Sequence, residues 1–196
     1  MQAIPPTLQQ SLAARLDRLG SAREIAQIGA VLGRGFSYAL LKSVAAVDDR
    51  GQTGVSDPGH GFLYAALDRL ADAELLFVEG VAPQADYRIK HALIQDAAYD
   101  RLLKSRRQTL HRREAEVLLA SLAPEAEALA HHFTQAGQTE LAIEWWGKAG
   151  DQALRRSAFA EAISHLGKAI EFSDKAGAAA RSGCGQPTDV VQGLRR

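Results

Sequence analysis

Apolar residues recur every three or four positions along most of the chain, a spacing that predicts amphipathic helices. Gly20 and Gly33 close the first two helices, and Ser21 is a suitable N-cap between them. The first four predicted helices carry these apolar residues on one face: Leu8, Leu12, Leu16 and Leu19; Ile25, Ile28 and Leu32; Leu40, Val44 and Val47; and Leu63, Leu67 and Leu70.

The segment from Asp48 to Gly61 interrupts this pattern with four glycines, a proline and three aspartates, and it predicts a mobile loop. After the fourth helix come two β-type runs, Leu75 to Val78 and Tyr87 to Lys90, with Gly80 and Pro83 between them. These runs predict a β-hairpin. Three helices followed by a hairpin is the element order of a winged helix.

After His91 the chain reads as wholly helical. One helix extends from Pro124 to Gly137 and the next from Thr139 to about Ser157. The last helix is similar to the second helix of a tetratricopeptide repeat (TPR), and Gly-Lys-Ala recurs after twenty residues, at Gly147 and Gly167. Because the usual TPR period is about thirty-four residues, we predict TPR-like hairpins without a regular array. Helices of this kind need a neighbour to cover their open face.

The predicted fold is therefore mainly α, with a winged-helix-like module and small β-hairpin followed by antiparallel TPR-like helical hairpins. The predicted organisation is a linker helix over 1–20, the winged-helix-like domain over 21–104, the TPR-like region over 105–173 and a disordered tail over 174–196. The helical periodicity stops near Ser173. This abrupt end leads us to expect truncation of a longer protein.

Charge and cysteine usage limit the classes of partner. The 23 Lys and Arg residues balance the 23 Asp and Glu residues, so no net field attracts nucleic acid or an anionic membrane. The single cysteine, Cys184, cannot form an internal disulfide, which fits a reducing compartment. We find neither a signal peptide nor a membrane span, and we expect a cytoplasmic protein.

The sequence lacks recognisable catalytic motifs. The glycines near Gly29 and Gly51 lack the spacing and the Lys-Ser/Thr pair of a phosphate-binding loop. We therefore expect no enzyme activity, no catalytic residue and no cofactor in this chain. Glu127 and His131 share a helix face, and a metal site would need His165 as a further ligand. Solvent-facing polar residues are the preferred interpretation, so we predict no metal.

Two other clusters have alternative interpretations. The basic run containing Arg101, Lys104, Arg106 and Arg107 could contact phosphates or an acidic partner, or it could be a solvated helix face that balances neighbouring acids. The adjacent residues Trp145 and Trp146 point in different directions on a helix. One is expected in the core, while the other packs on a neighbouring helix or remains half exposed. Core packing is the preferred interpretation for the pair, and both residues are candidates for partner binding.

DNA reading is disfavoured by charge. A DNA-binding winged helix places basic and amide side chains on the helix before the hairpin. In this chain that helix, Phe62 to Glu74, contains Asp68, Arg69, Asp72 and Glu74 and has a net charge of −2. Phosphates would be repelled, and we expect no nucleic-acid partner.

Several segments resemble a region of bacterial STAND-type (AAA-like) signalling ATPases, many of which carry class III adenylate/guanylate cyclase domains. The resemblance covers about residues 4 to 172 as an ordered set of motifs. They are Ile4-Pro-Pro-Thr-Leu through Leu19, Ala26-Gln-Ile-Gly-Ala-Val-Leu-Gly-Arg-Gly-Phe-Ser-Tyr38, Tyr87-Arg-Ile-Lys-His-Ala-Leu-Ile-Gln-Asp-Ala-Ala-Tyr99, Ser105-Arg-Arg-Gln-Thr-Leu-His111 and Leu129-Ala-His-His-Phe133. The loop over 48–61 and the chain after Ser173 depart from the family's pattern.

The resemblance implies a function. In such proteins the winged helix covers a nucleotide held by a preceding P-loop domain, and His91 matches a histidine that senses its phosphates. The alternative is that His91 caps or packs at the strand-to-helix junction. The implied protein is a non-catalytic regulatory fragment that meets ATP or ADP only through an upstream or in-trans NTPase domain. A free-standing TPR-like adaptor with a protein ligand is the first alternative, and a DNA-binding regulator is the second.

Overall fold

The computed structural model describes residues 6–46, 60–81, 84–121 and 124–183. The chain is mainly helical, as predicted, with a small three-stranded antiparallel sheet and helical hairpins. In chain order the described elements are α1 (Pro6–Asp17), α2 (Ala22–Leu32), β1 (Gly35–Ser37), α3 (Tyr38–Ala46), α4 (His60–Asp72), β2 (Leu76–Glu79), β3 (Asp86–Ile89), α5 (Ala92–Asp100), α6 (Lys104–Leu119), α7 (Ala126–Ala136), α8 (Thr139–Arg155) and α9 (Phe159–Gly183).

The chain divides into two compact units. The first comprises residues 1–124 and 135–137, and the second comprises residues 125–134 and 138–196. Helices α1 to α6 and the sheet belong to the first unit, and most of α7 with α8 and α9 belongs to the second. The first unit therefore includes α1, which was predicted as a linker helix, and α6, which was predicted to belong mostly to the TPR-like region. The domain boundaries themselves stay predictions.

The first unit is built around one apolar core, because its helices each direct an apolar stripe inward. Leu63, Leu67 and Leu70 of α4 are fully buried, in agreement with their predicted shared face. In α3, Leu41 and the predicted Val44 are buried, whereas the predicted Leu40 is only partly buried. The other large contributors to this core include Leu16, Ile25, Ile28, Val31, Val44, Leu75, Tyr87, Ile94 and Leu110.

The sheet has the order β1–β3–β2. The predicted hairpin is confirmed, with Leu76 opposite Ile89 and Glu79 opposite Asp86. Strand β1 was not predicted; it pairs with β3 so that Phe36 lies opposite Tyr87. The order of elements in this unit is α2, β1, α3, α4, β2 and β3, and its assignment as a winged helix stays a prediction.

Two glycines have distinct roles where α2 meets β1. Gly33 ends α2 with a φ of 113°, a conformation that side chains with a Cβ rarely adopt. Gly29 lies where an added Cβ would be 2.7 Å from Cε1 of Phe36, so the helix approaches the strand closely. Both glycines therefore position β1 beside β3.

In the second unit, α8 and α9 form a helical hairpin that packs on α7. Gly137 follows α7 with a φ of 75°. Helix α9 continues to Gly183, so the predicted disordered tail is wrong over residues 174–183. Small helix-forming alanines in this segment account for its helicity despite the loss of apolar periodicity. The predicted mobile loop lies mostly outside the described residues, as do Cys184 and the rest of the predicted tail.

Candidate regulatory site

His91 lies where β3 passes into α5. It is the N-cap residue of α5, has extended backbone angles (φ −139°, ψ 140°), and its carbonyl accepts a hydrogen bond from the Ile94 amide at 3.0 Å. Its side chain makes no capping hydrogen bond and is exposed. The backbone of His91 therefore caps the start of α5, while its imidazole takes no part in the capping.

The backbone around His91 is held on both sides. The Lys90 amide donates to the Leu75 carbonyl at 3.0 Å, which ties the end of β3 to the start of the hairpin. On the helical side, the Gln95 side-chain amide donates to the Ala30 carbonyl at 3.1 Å, which anchors α5 to α2. The position of His91 is thus determined by the first unit's core rather than by its own side chain.

The start of α5 has a positive partial charge, and two basic residues lie close to it in sequence. The first turn of α5 contains no acidic residue, so the partial positive charge of the helix N-terminus is not offset there. The Lys90 ammonium lies 4.9 Å from the centre of the Phe77 ring, and the Arg88 guanidinium lies 5.7 Å from it. Arg88 also pairs with Glu79 at 3.0 Å.

Most of the basic run is engaged within the first unit. The Arg101 guanidinium pairs with Asp17, and Arg106 pairs with Glu24 at 3.0 Å. Arg101 and Arg23 both donate hydrogen bonds to Asp17, which lowers the pKa of that carboxyl. The partners lie more than eighty positions away along the chain. These contacts agree with the interpretation of the basic run as a surface whose charges are balanced by acidic residues of the same chain.

Arg107 is also engaged locally. Its guanidinium lies 4.5 Å from the centre of the Tyr99 ring and donates to the Leu102 carbonyl at 3.0 Å and to the Asp100 carbonyl at 2.9 Å. Lys104, the first residue of α6, is exposed. Of the four candidate residues, three therefore hold α5 and α6 in place, and contact with a partner stays a prediction for the patch.

The two tryptophans separate as predicted. Trp146 is buried in the second unit, and its indole N–H donates to the Thr134 hydroxyl at 3.0 Å. Trp145 is partly exposed, with the Lys148 ammonium 3.9 Å from its ring centre. The prediction that one tryptophan lies in the core is confirmed, and only Trp145 presents a surface to a partner.

Two of the candidate metal ligands lie close together. The carboxylate of Glu127 is 3.8 Å from Nε2 of His165, whose ring stacks on Trp146 with centres 5.3 Å apart. His131 instead contacts the ring of His132 edge-on at 5.3 Å. The contacts of His165 are those of a packed core histidine, so the preferred interpretation of solvent-facing residues is wrong for His165, whereas Glu127 and His131 are exposed.

Buried polar residues on α6 were not identified from the sequence. Nε2 of His111 shares a hydrogen bond with the Tyr99 hydroxyl at 2.9 Å. Glu114 is also buried, and its burial raises the pKa of the carboxyl to about 8. Both residues lie in a highly charged helix, and no local signal distinguishes them from their exposed neighbours.

Comparison with other proteins finds a relative that is much longer than this chain. An uncharacterized protein of Rhizobium meliloti (strain 1021) is 32% identical over 165 residues. The match covers 82% of this chain and 15% of the relative, so this chain spans a small part of that protein's length. No family model matches the chain, and no solved structure matches it significantly.

Within residues 6–46, 60–81, 84–121 and 124–183, no helix combines the length and the apolar character needed to cross a bilayer.

Proposed function

We propose that this chain is a non-catalytic regulatory module of a STAND-type signalling ATPase, associated with adenylate/guanylate cyclase signalling in the cytoplasm. Its role is to relay the nucleotide state of a P-loop domain, located upstream or supplied in trans. The observation that carries the proposal is the exposed imidazole of His91 at the N-terminus of α5, on a backbone fixed from both sides.

The proposed mechanism is a differential contact. An imidazole donates a hydrogen bond to a phosphate oxygen in its neutral form and a stronger one when protonated. The N-terminus of α5 adds positive potential beside His91. If His91 contacts ADP and ATP differently, the bound nucleotide biases the module between a closed and an open arrangement.

The acidic face of α4 supports a protein partner over DNA. Asp68, Arg69 and Asp72 are exposed in the helix that a DNA reader would place in the major groove. Three arginines of the basic run form ion pairs within the first unit: Arg101 with Asp17, Arg106 with Glu24, and Arg107 with Asp100 at 3.8 Å. A phosphate backbone would therefore meet net negative charge on α4, and in the basic run it would meet little positive charge that is not already paired.

The test uses the full-length Rhizobium meliloti relative. Its purified form is expected to carry ADP or ATP, identified by chromatography of the nucleotide released on denaturation. A relative that binds neither nucleotide would overturn the proposal. Residues of this chain then replace the matching stretch, and release of a fluorescent ADP analogue is followed with and without His91→Ala.

Loss of one hydrogen bond to a charged phosphate corresponds to about 1.5 to 3 kcal/mol, so ADP release should accelerate roughly tenfold or more. His131→Ala, an exposed histidine in the other unit, is the matched control and should leave release unchanged. Equal release rates for the His91→Ala protein and its parent would also contradict the proposal. The isolated chain should show no ATP hydrolysis and no cyclase activity.

A free-standing helical adaptor is the second candidate function. It is favoured by Trp145, whose partly exposed ring on α8 has only a lysine side chain described over it. Aromatic side chains of this kind are enriched at protein interfaces. An adaptor would bind its ligand without any nucleotide, and Trp145→Ala would abolish that binding while His91→Ala would not.

A further inference from the structure

The carboxylate of Asp17 holds two arginines from other parts of the first unit. Its Oδ1 atom accepts a hydrogen bond from Arg23 of α2 at 3.1 Å and another from Arg101, the C-cap residue of α5. Both guanidinium groups therefore converge on one oxygen atom at the end of α1. The three side chains are between 37% and 48% exposed, so the cluster lies at the surface.

Two guanidinium groups held this close together need an anion between them, because like charges a few ångströms apart repel each other. The acids next to these arginines in sequence have other partners: Glu24 pairs with Arg106 at 3.0 Å, and Asp100 lies 3.8 Å from Arg107. Among the ion pairs of the described residues, Asp17 is thus the carboxylate that balances Arg23 and Arg101.

The arrangement of the two arginines suits an anion with more charge and more oxygen atoms than a carboxylate. Both hydrogen bonds fall on Oδ1 of Asp17, and the carboxylate carries one negative charge. A phosphate group carries up to two charges and offers three strong acceptor oxygens. Each planar guanidinium can then donate to an oxygen of its own, which is the geometry that arginine and phosphate favour.

The end of α1 can move away from the arginines without a change in α2 or α5. Helix α1 is attached through the buried side chain of Leu16 and through Arg15, whose guanidinium donates to the Ala73 carbonyl. Gly20, with a φ of 57°, lies between α1 and α2, and a Cβ atom added there would meet nothing within 4 Å. The turn that precedes α2 therefore offers no steric barrier to release of Asp17.

We propose that Arg23 and Arg101 form a binding site for a phosphate group, and that Asp17 occupies this site as an internal substitute for the ligand. The phosphate displaces the carboxylate, and the end of α1 is released from α5. His91 lies at the opposite end of α5, about 15 Å away along the helix. The site is therefore separate from the nucleotide contact of the proposed function, and the two are tested by different measurements.

Removal of the internal carboxylate should open the site. Two charge-assisted hydrogen bonds to a phosphate correspond to a Kd on the order of 1 mM. About 20 mM inorganic phosphate should then raise the thermal midpoint of the Asp17→Ala chain by about 4 °C, relative to NaCl of equal ionic strength. In the parent chain the tethered carboxylate competes, and phosphate should bind roughly tenfold more weakly. Equal responses of the two chains to phosphate would overturn the proposal.

Two further variants separate a specific site from general attraction of phosphate to arginine. Adding Arg101→Gln to the Asp17→Ala chain should abolish the phosphate response. The matched control is Glu79→Ala, which removes the carboxylate from Arg88 in another exposed ion pair of the same unit and leaves one arginine instead of two. A Glu79→Ala chain that responds as strongly as the Asp17→Ala chain would also overturn the proposal.

The source of the phosphate group is distinguished by two other probes. Pyrophosphate represents a free diphosphate ligand, and N-acetylphosphoserine amide represents a phosphorylated side chain. The probe that stabilises the Asp17→Ala chain at the lower concentration identifies the source. If neither probe stabilises this chain, the proposal fails.

Amide hydrogen exchange in the parent chain tests the displacement of α1. At about 20 mM phosphate and an apparent Kd of about 10 mM, the occupied fraction of the Asp17 contact should fall about threefold. A free helix of twelve residues is marginal in water, so exchange in α1 should accelerate by about the same factor. Exchange in α4 should not change. Phosphate binding that leaves exchange in α1 unchanged would contradict the displacement.

Discussion

Leu166 of α9 packs directly against α8 at Gly150, where an added Cβ would lie 2.6 Å from both Cγ and Cδ2 of the leucine. Gly150 is buried in the middle of α8, at a position where alanine would otherwise be the better helix former. The glycine therefore sets how closely the two helices of this hairpin approach.

Gly150→Ala should destabilise the second unit. The gain in helix propensity is up to about 1 kcal/mol, whereas overpacking a well-packed contact costs typically 1 to 3 kcal/mol. We expect a net loss of roughly 1 kcal/mol, measured by thermal unfolding of the dilute protein. Gly167→Ala is the matched control and should be neutral or stabilising, because its Cβ enters open space. Equal thermal midpoints for the two variants would contradict this account of the contact.

The two tryptophans should report separately on the second unit. Trp146→Phe removes the hydrogen bond to Thr134 and part of a buried indole, at a cost of roughly 1 to 3 kcal/mol in the free energy of unfolding. Trp145→Phe should change stability much less. Acrylamide should quench the fluorescence of the Trp146→Phe protein, in which Trp145 remains, more strongly than that of the Trp145→Phe protein. The reverse order of quenching would show that the burial of the two rings is misassigned.

Glu114 should make folding stability depend on pH. Burial raises its pKa to about 8, so the folded chain holds a proton at neutral pH that the unfolded chain has released. Stability is then highest below the unfolded pKa of about 4.3 and falls as the pH rises toward 8.

Glu114→Gln keeps the shape of the protonated side chain and removes this dependence. Between pH 5.5 and 8.5 the wild-type chain should lose roughly 1 to 3 kcal/mol more stability than the variant, as measured by urea unfolding at each pH. Because every other titrating group is common to both proteins, the difference isolates Glu114. Parallel stability curves for the two proteins would show that the carboxyl is not perturbed.

The helices were predictable from the local pattern, because apolar residues spaced three or four positions apart lie on one face of a helix and can be buried together. The stripe of Leu63, Leu67 and Leu70 in α4 is an example, and all three residues are buried as expected. The hairpin was also visible, because β-type residues flank a turn-rich segment. The fold class follows from these regularities without any tertiary information.

Strand β1 and the tail show where local pattern fails. Gly35, Phe36 and Ser37 form a strand because β3, fifty positions later in the chain, supplies their hydrogen-bonding partners. A run of three residues is too short to show the apolar and polar alternation that predicts a strand. Helix α9 extends past Ser173 because alanine propensity sustains a helix whose apolar stripe has ended.

For the candidate site, the sequence by itself determined which side chains are available: the imidazole at the end of the hairpin, the run of arginines and the adjacent tryptophans. Only the tertiary structure decided which of them remain open to a ligand. Arg101 and Arg106 are occupied by Asp17 and Glu24, whereas the imidazole of His91 is exposed. The physical reason is that charge pairing and burial depend on distances between segments far apart in the chain, while helical periodicity depends only on neighbours.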